Sequence, residues 1–251
     1  MNLHLPKVIG HRGIKNIAPE NTLESVSKAV SLGFKWVEID VKISKDNIPF
    51  LLHDDTLNRT TSGIGYPYNY NYNYISSLDA GVWFNEEFKK VYPPSLEEIL
   101  IYCSQNNIGV NIELKPNKNF EMQNVDSIVK LFSKIQLNCN YFFSSFNYLS
   151  AINLKKLLPN AFVGILINEF SKKNNIKEII KTCLVNNFFS CGLSNKIISN
   201  DVVKQLKKNN LKVTVFASNN ISIDEANKLW DLGVDSVFLD SPLGFEEILI
   251  N

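Results

Sequence analysis

Histidine is scarce in this 251-residue chain: His4, His11 and His53 are the only three. Cysteine is nearly as rare, at four (Cys103, Cys139, Cys183, Cys191), and no CxxC pair or metal-ligand spacing relates them. That excludes a zinc-ribbon or thioredoxin-type use and leaves reduced thiols in or near the core. No apolar run approaches the ~20 residues needed to cross a bilayer. The N-terminus, MNLHLPKVIGHRG, lacks the order of segments of a secretory signal, so a cytoplasmic location without a stable membrane anchor is expected. Neither sign of charge is in surplus, with Lys+Arg 26 against Asp+Glu 25. A dedicated nucleic-acid binder carries a basic excess, and an acidic solvating tail the reverse; neither class fits.

What is present is 45% hydrophobic residues, enough for a large core, arranged as short β-rich runs alternating with helical ones. Val8–Gly13 opens the alternation. Asn21–Gly33 carries Leu23, Val26, Ala29 and Val30 at helical spacing, and Trp36–Ile43 reads as a strand. Ser95–Asn106 is the next helix and Gly109–Lys115 the next strand. Strand-then-helix units follow at Tyr141–Leu158, Ala161–Asn186, Phe188–Asn209, Lys212–Leu232 and Ser236–Ile250. One strand does not fit. Pro49–His53 follows its predecessor after only Lys45, Asp46 and Asn47. A parallel crossover takes a dozen or more residues, so this strand must return as an antiparallel hairpin. Removing it leaves eight units, the (β/α)8 TIM-barrel number, in one domain over residues 1–251. Residues 54–94 are then a small inserted subdomain after the hairpin, in the second βα loop. Its YPYNYNYNY stretch, Tyr66–Tyr74, has no strong apolar face and reads as a surface loop.

Barrel enzymes place their chemistry at the C-terminal ends of the strands. His11 and Arg12 lie at that end of the first strand, Glu38 and Asp40 of the second, Glu113 and Lys115 of the third. Spacing of i, i+2 puts each of the last two pairs on one side of its strand, with Ile39 and Leu114 facing the helices. Three carboxylates converging on one rim are costly to bury uncompensated. A hard divalent cation, Mg²⁺ or Ca²⁺, is one compensation; an ion-pair network with Arg12 and Lys115 is the other. The hairpin returns His53 to the rim of His11, an acid–base arrangement suited to phosphoryl chemistry. His4 receives no role.

At these residues the chain resembles the glycerophosphodiester phosphodiesterase family, in its short bacterial cytosolic form. The shared motifs are HRG (His11–Gly13), PENT (Pro19–Thr22), EIDV (Glu38–Val41), SKD (Ser44–Asp46) and LLHDDTLNRTT (Leu51–Thr61). LDAGVWF (Leu78–Phe84), IELKP (Ile112–Pro116), SSF (Ser144–Phe146) and LGVDSVFLDSP (Leu232–Pro242) continue the match in order. The resemblance implies hydrolysis of a small glycerophosphodiester to glycerol 3-phosphate and an alcohol. It implies Glu38, Asp40 and Glu113 as ligands of one divalent cation, His11 and His53 as general base and acid, and Arg12 and Lys115 as phosphate ligands. It also implies that Glu20 and Asn21 orient the first loop, with Asn21 capping the first helix. One late run departs from the family: VFASN (Val215–Asn219) carries Phe216 where the family usually has Trp. Phe216 keeps an apolar wall for glycerol carbons and lacks the indole N–H donor. Two other readings are a lysophospholipase D acting on lipid headgroups, approached through the Tyr-rich insertion, and a barrel that binds phosphodiesters without turning them over. The second of these would show a lost histidine or carboxylate, and none is lost.

Overall fold

The computed structural model describes residues 3–250. In chain order the elements are β1 (Val8–Gly10), α1 (Leu23–Ser31), β2 (Trp36–Ile43), β3 (Pro49–Leu51), α2 (Tyr72–Ile75), α3 (Leu96–Gln105), β4 (Gly109–Leu114) and α4 (Glu121–Phe132). Five further pairs follow: β5 (Tyr141–Ser145) with α5 (Tyr148–Leu157), β6 (Val163–Ile167) with α6 (Ile176–Val185), and β7 (Ser190–Ser194) with α7 (Asn200–Lys208). The last two are β8 (Lys212–Phe216) with α8 (Ile223–Asp231), and β9 (Ser236–Leu239) with α9 (Glu246–Ile250). Among the described residues, eight parallel strands run in the order β1-β2-β4-β5-β6-β7-β8-β9, and β1 pairs with both β2 and β9, closing a (β/α)8 barrel. β3 stands outside the wall. It is antiparallel to the end of β2, with Val41 opposite Leu51 and Ile43 opposite Pro49. Ser44 closes the hairpin through its backbone N–H to the Ile48 carbonyl (3.1 Å), and Asn47 takes the left-handed turn position at φ 60°.

Strand parity sorts the side chains into two cores. Val37, Ile39 and Val41 on β2 and Ile112 and Leu114 on β4 face outward, into the main apolar layer shared with Val26, Ile99 and Ile128 of the helices. The opposite parity points into the barrel. There the lower layer is aromatic: Trp36, Phe142 and Phe238 pack with Leu3, Leu5 and Ile9 and plug the barrel floor. Gly109 lies against Trp36, where any Cβ would overlap the indole ring. On the same inward faces, one and two steps higher, the residues become Glu38, Asp40, Asn111 and Glu113. A packed floor below a polar rim is what sets the site at one end.

Three local readings are completed or changed. The sequence pattern counts a unit at Gly109–Lys115 without placing its helix; α4 supplies it before Tyr141, burying Val125 and Ile128. The cap of α1 is Thr22, not Asn21: the Thr22 hydroxyl accepts from the Ser25 N–H and the Ser25 hydroxyl accepts from the Thr22 N–H. And the Tyr-rich stretch is not a plain surface loop. It forms a 3-10 turn at Pro67–Asn69 and the one-turn α2. Tyr66 stacks on Tyr68, Tyr68 on Phe120, and Tyr70 on Tyr74, while the Tyr72 hydroxyl donates to Glu98 at 3.0 Å. The apolar partners that order it, Phe50, Leu52, Leu57, Ile75 and Leu78, come from outside the stretch and form their own small core. All four cysteines are free and buried, as a core use requires. Among the described residues no helix is long and apolar enough to cross a membrane.

Candidate active site

The loop after β1 turns abruptly. Arg12 adopts φ 53° and Gly13 φ 82°, left-handed positions that a non-glycine residue occupies at a cost of order 1–3 kcal/mol. The turn aims the Arg12 backbone N–H at Glu38 Oε2 (2.9 Å) and anchors the Gly13 N–H on the Glu38 carbonyl (3.0 Å). Asn21, also left-handed at φ 58°, clasps Asp40 from both sides. Its Nδ2 donates to Asp40 Oδ2 (2.8 Å) and its Oδ1 accepts the Asp40 N–H (3.0 Å). Its function is therefore to orient a carboxylate.

Glu38, Asp40 and Glu113 converge: each offers an oxygen within 4.8 Å of the others, and all three are buried. Their electrostatics are unequal. Burial, followed by the charges of Asp40 and Glu113, pushes the Glu38 carboxyl well up. Burial likewise pushes Glu113 up to about 7, against the pull of Lys115. For Asp40 burial acts in the same direction but is outweighed. Lys115 (Nζ 3.5 Å away), Arg12 and His53 together hold it below the usual carboxylate range. Two cations, Arg12 and Lys115, thus face three carboxylates, Lys115 Nζ lying 3.0 Å from Glu113 Oε1 as well as 3.5 Å from Asp40. Glu38 Oε1 is buried with no hydrogen-bond partner among the described residues. An orphaned oxygen, three hard donors and a deficit of positive charge together fit a divalent cation. An ion-pair network alone would leave that oxygen unsatisfied.

The two histidines flank this cluster, and each is backed by a carboxylate. His11 Nδ1 lies 2.6 Å from Asp240 Oδ1, and His53 Nδ1 lies 2.7 Å from Asp54 Oδ1. An ionised carboxylate only accepts, so each Nδ1 carries the proton and each Nε2 keeps its lone pair, that of His11 lying 3.9 Å from Glu38 Oε2. Asp240 is held below the usual range despite burial, chiefly by the His11 hydrogen bond. Both imidazoles are shifted down, in each case mainly by burial. They are thus mostly neutral at pH 7, with Nε2 open to take a proton.

Both histidines, Glu38 and Glu113 line one cleft of about 260 Å³ together with Arg12 and Lys115. Its other wall is apolar, formed by Phe146, Leu166, Phe216 and Phe238. Phe146 and Phe216 meet edge-to-face at 5.3 Å, and Lys115 Nζ sits 5.5 Å from the Phe146 ring centre. Every candidate residue is therefore brought together; Asp40 stands just behind, 1% exposed, under Arg12 and Lys115. Sequence reasoning missed Asp240 and Asp54. It also missed Lys15, 3.1 Å from Asp240 Oδ2, and Lys42. Lys42 is buried on the face of Glu38 and Asp40 and donates to Asp55 Oδ1 (3.0 Å) and the Lys115 carbonyl (2.9 Å). It pins the loop after His53 to the end of β4. Asp240 shares the inward parity of Phe238, which was the available signal.

A (β/α)8 barrel with a carboxylate triad, two flanking cations and two carboxylate-backed histidines at the strand ends defines a barrel hydrolase. Residues 11–243 match the glycerophosphoryl diester phosphodiesterase family, and the chain belongs to it. It is accordingly a phosphoric diester hydrolase. A glycerophosphodiester phosphodiesterase of Caldanaerobacter subterraneus is 29% identical over 244 residues, covering 97% of this chain and 96% of that one. Among solved structures, a phosphodiesterase of Oleispira antarctica in complex with the product sn-glycerol-3-phosphate superposes with a TM-score of 0.90 at 33% identity, over 98% of both chains. A glycerophosphodiester phosphodiesterase of Agrobacterium tumefaciens gives 0.78 at 25% identity, over 97% of this chain and 100% of that one.

Proposed function

We propose that the cleft hydrolyses small glycerophosphodiesters to glycerol 3-phosphate and an alcohol, with one divalent cation, Mg²⁺ or Ca²⁺, and with His11 and His53 as the acid–base pair. The observation that carries this is the pairing of the histidines: both have Nδ1 committed to a carboxylate and a lone pair on Nε2, on either side of one carboxylate cluster. Glu38, Asp40 and Glu113 hold the cation, which when bound supplies Lewis-acid stabilisation of charge on the phosphoryl oxygens. Arg12 and Lys115 bind the phosphate, presenting fixed donors to the oxygens on which negative charge builds in the transition state. Phe216 walls the glycerol carbons.

One imidazole Nε2 removes the proton of the attacking hydroxyl, from a water or from the neighbouring hydroxyl of the substrate's own glycerol; in the second case the cyclic glycerol phosphate that forms is opened to glycerol 3-phosphate by a water in a second step, with the two imidazoles exchanging roles. The other, protonated, delivers its proton to the leaving alkoxide, which is too basic to depart unaided. Asp240 and Asp54 stabilise whichever imidazolium forms and keep each ring in the Nδ1–H tautomer. The reading takes the chain as one barrel domain with residues 54–94 as an insertion, working in the cytoplasm on soluble substrates without nucleic acid. The test is a panel of glycerophosphocholine, glycerophosphoethanolamine and a lysophospholipid, assayed for glycerol 3-phosphate and for lysophosphatidic acid with EDTA, Mg²⁺ or Ca²⁺. Release from the two soluble diesters, stopped by EDTA and restored by a cation, is expected. No release, or release indifferent to EDTA, would overturn the reading; release of a lysophosphatidic acid product alone would favour the lysophospholipase D alternative.

A further inference from the structure

Arg59, in the insertion, belongs to no assigned role, yet it is the hub of the charges around the cleft. Its Nε donates to Asp54 Oδ2 (2.7 Å) and its Nη2 to Asp54 Oδ1 (2.9 Å). The same Nη2 donates to Glu20 Oε1 (2.7 Å), and Nη1 to Glu20 Oε2 (2.9 Å). One guanidinium thus makes two bidentate contacts, using its planar fork on both sides. Its Cζ lies over the ring of Trp83, 5.9 Å from the ring centre. Each carboxylate then hands on to a residue of the cleft. Asp54 Oδ1 binds His53 Nδ1, and Glu20 Oε1 accepts from Arg12 Nη1 (2.7 Å).

We propose that Arg59 is a positioning residue of the active site, fixing His53 through Asp54 and Arg12 through Glu20. The insertion thereby sets the register between the acid–base group and the phosphate-binding group. The Glu20 arm has a specific consequence. Glu20 is buried, and without Arg59 its cationic partner among the described residues is Arg12. Arg12 already faces Asp40, with Nε 3.4 Å from Oδ2 and no hydrogen bond there. Arg59 and Arg12 share Glu20 Oε1, so Arg59 fixes the carboxylate that in turn anchors Arg12 through its Nη1. The Asp54 arm holds the carboxylate in the plane that the imidazole needs.

The proposal rests on the phosphodiesterase reading, and the test separates the two. Glycerophosphoethanolamine hydrolysis is measured with the full chain at saturating Mg²⁺ for wild type, Arg59→Ala and Arg59→Lys. Each Arg59 change is also placed in Asp54→Ala and Glu20→Gln backgrounds. Arg59→Ala is expected to lower kcat about tenfold or more and raise KM several-fold. Arg59→Lys keeps the charge but not the double fork, and recovers only part. In the Asp54→Ala background the kcat effect should shrink and the KM effect persist; in Glu20→Gln the reverse. A residue that only holds the fold together would give the same factor in every background. Equal factors throughout, or wild-type kcat and KM in Arg59→Ala, would overturn the proposal. If Arg59→Ala does not fold by circular dichroism, Arg59→Lys carries the same cycles. An inactive wild type would overturn the functional reading itself, and this proposal with it.

Discussion

The cation site should release protons when it fills, and the release should set its pH dependence. Without a cation, Glu113 is pushed up to about 7, with burial as the main cause, and Glu38 is shifted in the same direction. A cation binds the deprotonated carboxylates, so protons compete with it below those values. A single competing group at about 7 weakens binding about 11-fold at pH 6 and about 1.1-fold at pH 8, a ratio of about ten. Glu38 adds to that with the same sign, so about tenfold is the minimum. Asp40 is already ionised across the range and contributes nothing. The histidines, lowered by burial, gain charge only toward the acid end, which repels a cation and again acts in the same sense. Calorimetric titration with Mg²⁺ and Ca²⁺ at pH 6 and 8, in buffers of different ionisation enthalpy, measures both affinity and proton release. Tenfold or more tighter binding at pH 8, with about one or more protons released at pH 6 and fewer at pH 8, is expected. Affinity independent of pH with no proton release would refute the placement of the cation among these three carboxylates. In Glu113→Gln the affinity should fall and its pH dependence flatten.

Two other outcomes test the supports of the site. Asp240→Asn and Asp54→Asn keep the size of each side chain but allow the wrong imidazole tautomer, so each should lower kcat by on the order of 10²–10⁴ while far-ultraviolet circular dichroism stays unchanged. Wild-type turnover in either would remove the carboxylate-backed histidines from the mechanism. Gly109→Ala forces a Cβ into the Trp36 ring on the barrel floor and should cost about 1–3 kcal/mol in urea unfolding. A neutral Gly109→Ala would show that the aromatic floor is not closely packed there.

Much of this site is written locally. The i, i+2 spacing of Glu38/Asp40 and Glu113/Lys115 settles which way the carboxylates face, and three turn residues suffice to make the hairpin antiparallel and return His53 to the rim. What local pattern does not supply is the identity of partners across the chain. Asp240 reaches His11 over a separation of 229 residues, and only closure of β9 on β1 brings them together. Asn21 and Thr22 are adjacent good caps, and cap chemistry alone cannot choose between them. The choice falls to Thr22 because Asp40, 19 residues on, takes the Asn21 amide. The Tyr-rich stretch looked like a loop because its apolar partners, Phe50 and Phe120 among them, lie outside it. Helix α4 was legible and overlooked: Val125, Ile128, Val129 and Phe132 recur at helical spacing.

The most direct measurement of the account is the leaving-group dependence of His11→Ala and His53→Ala. Each variant is assayed on glycerophosphoethanolamine and on the glycerophosphodiester of p-nitrophenol, whose anion departs without a proton. Both variants should lose on the order of 10²–10⁴ in kcat on the first substrate, and the one lacking the general acid should regain most of it on the second. Wild-type turnover of glycerophosphoethanolamine by either variant would contradict the two-histidine mechanism.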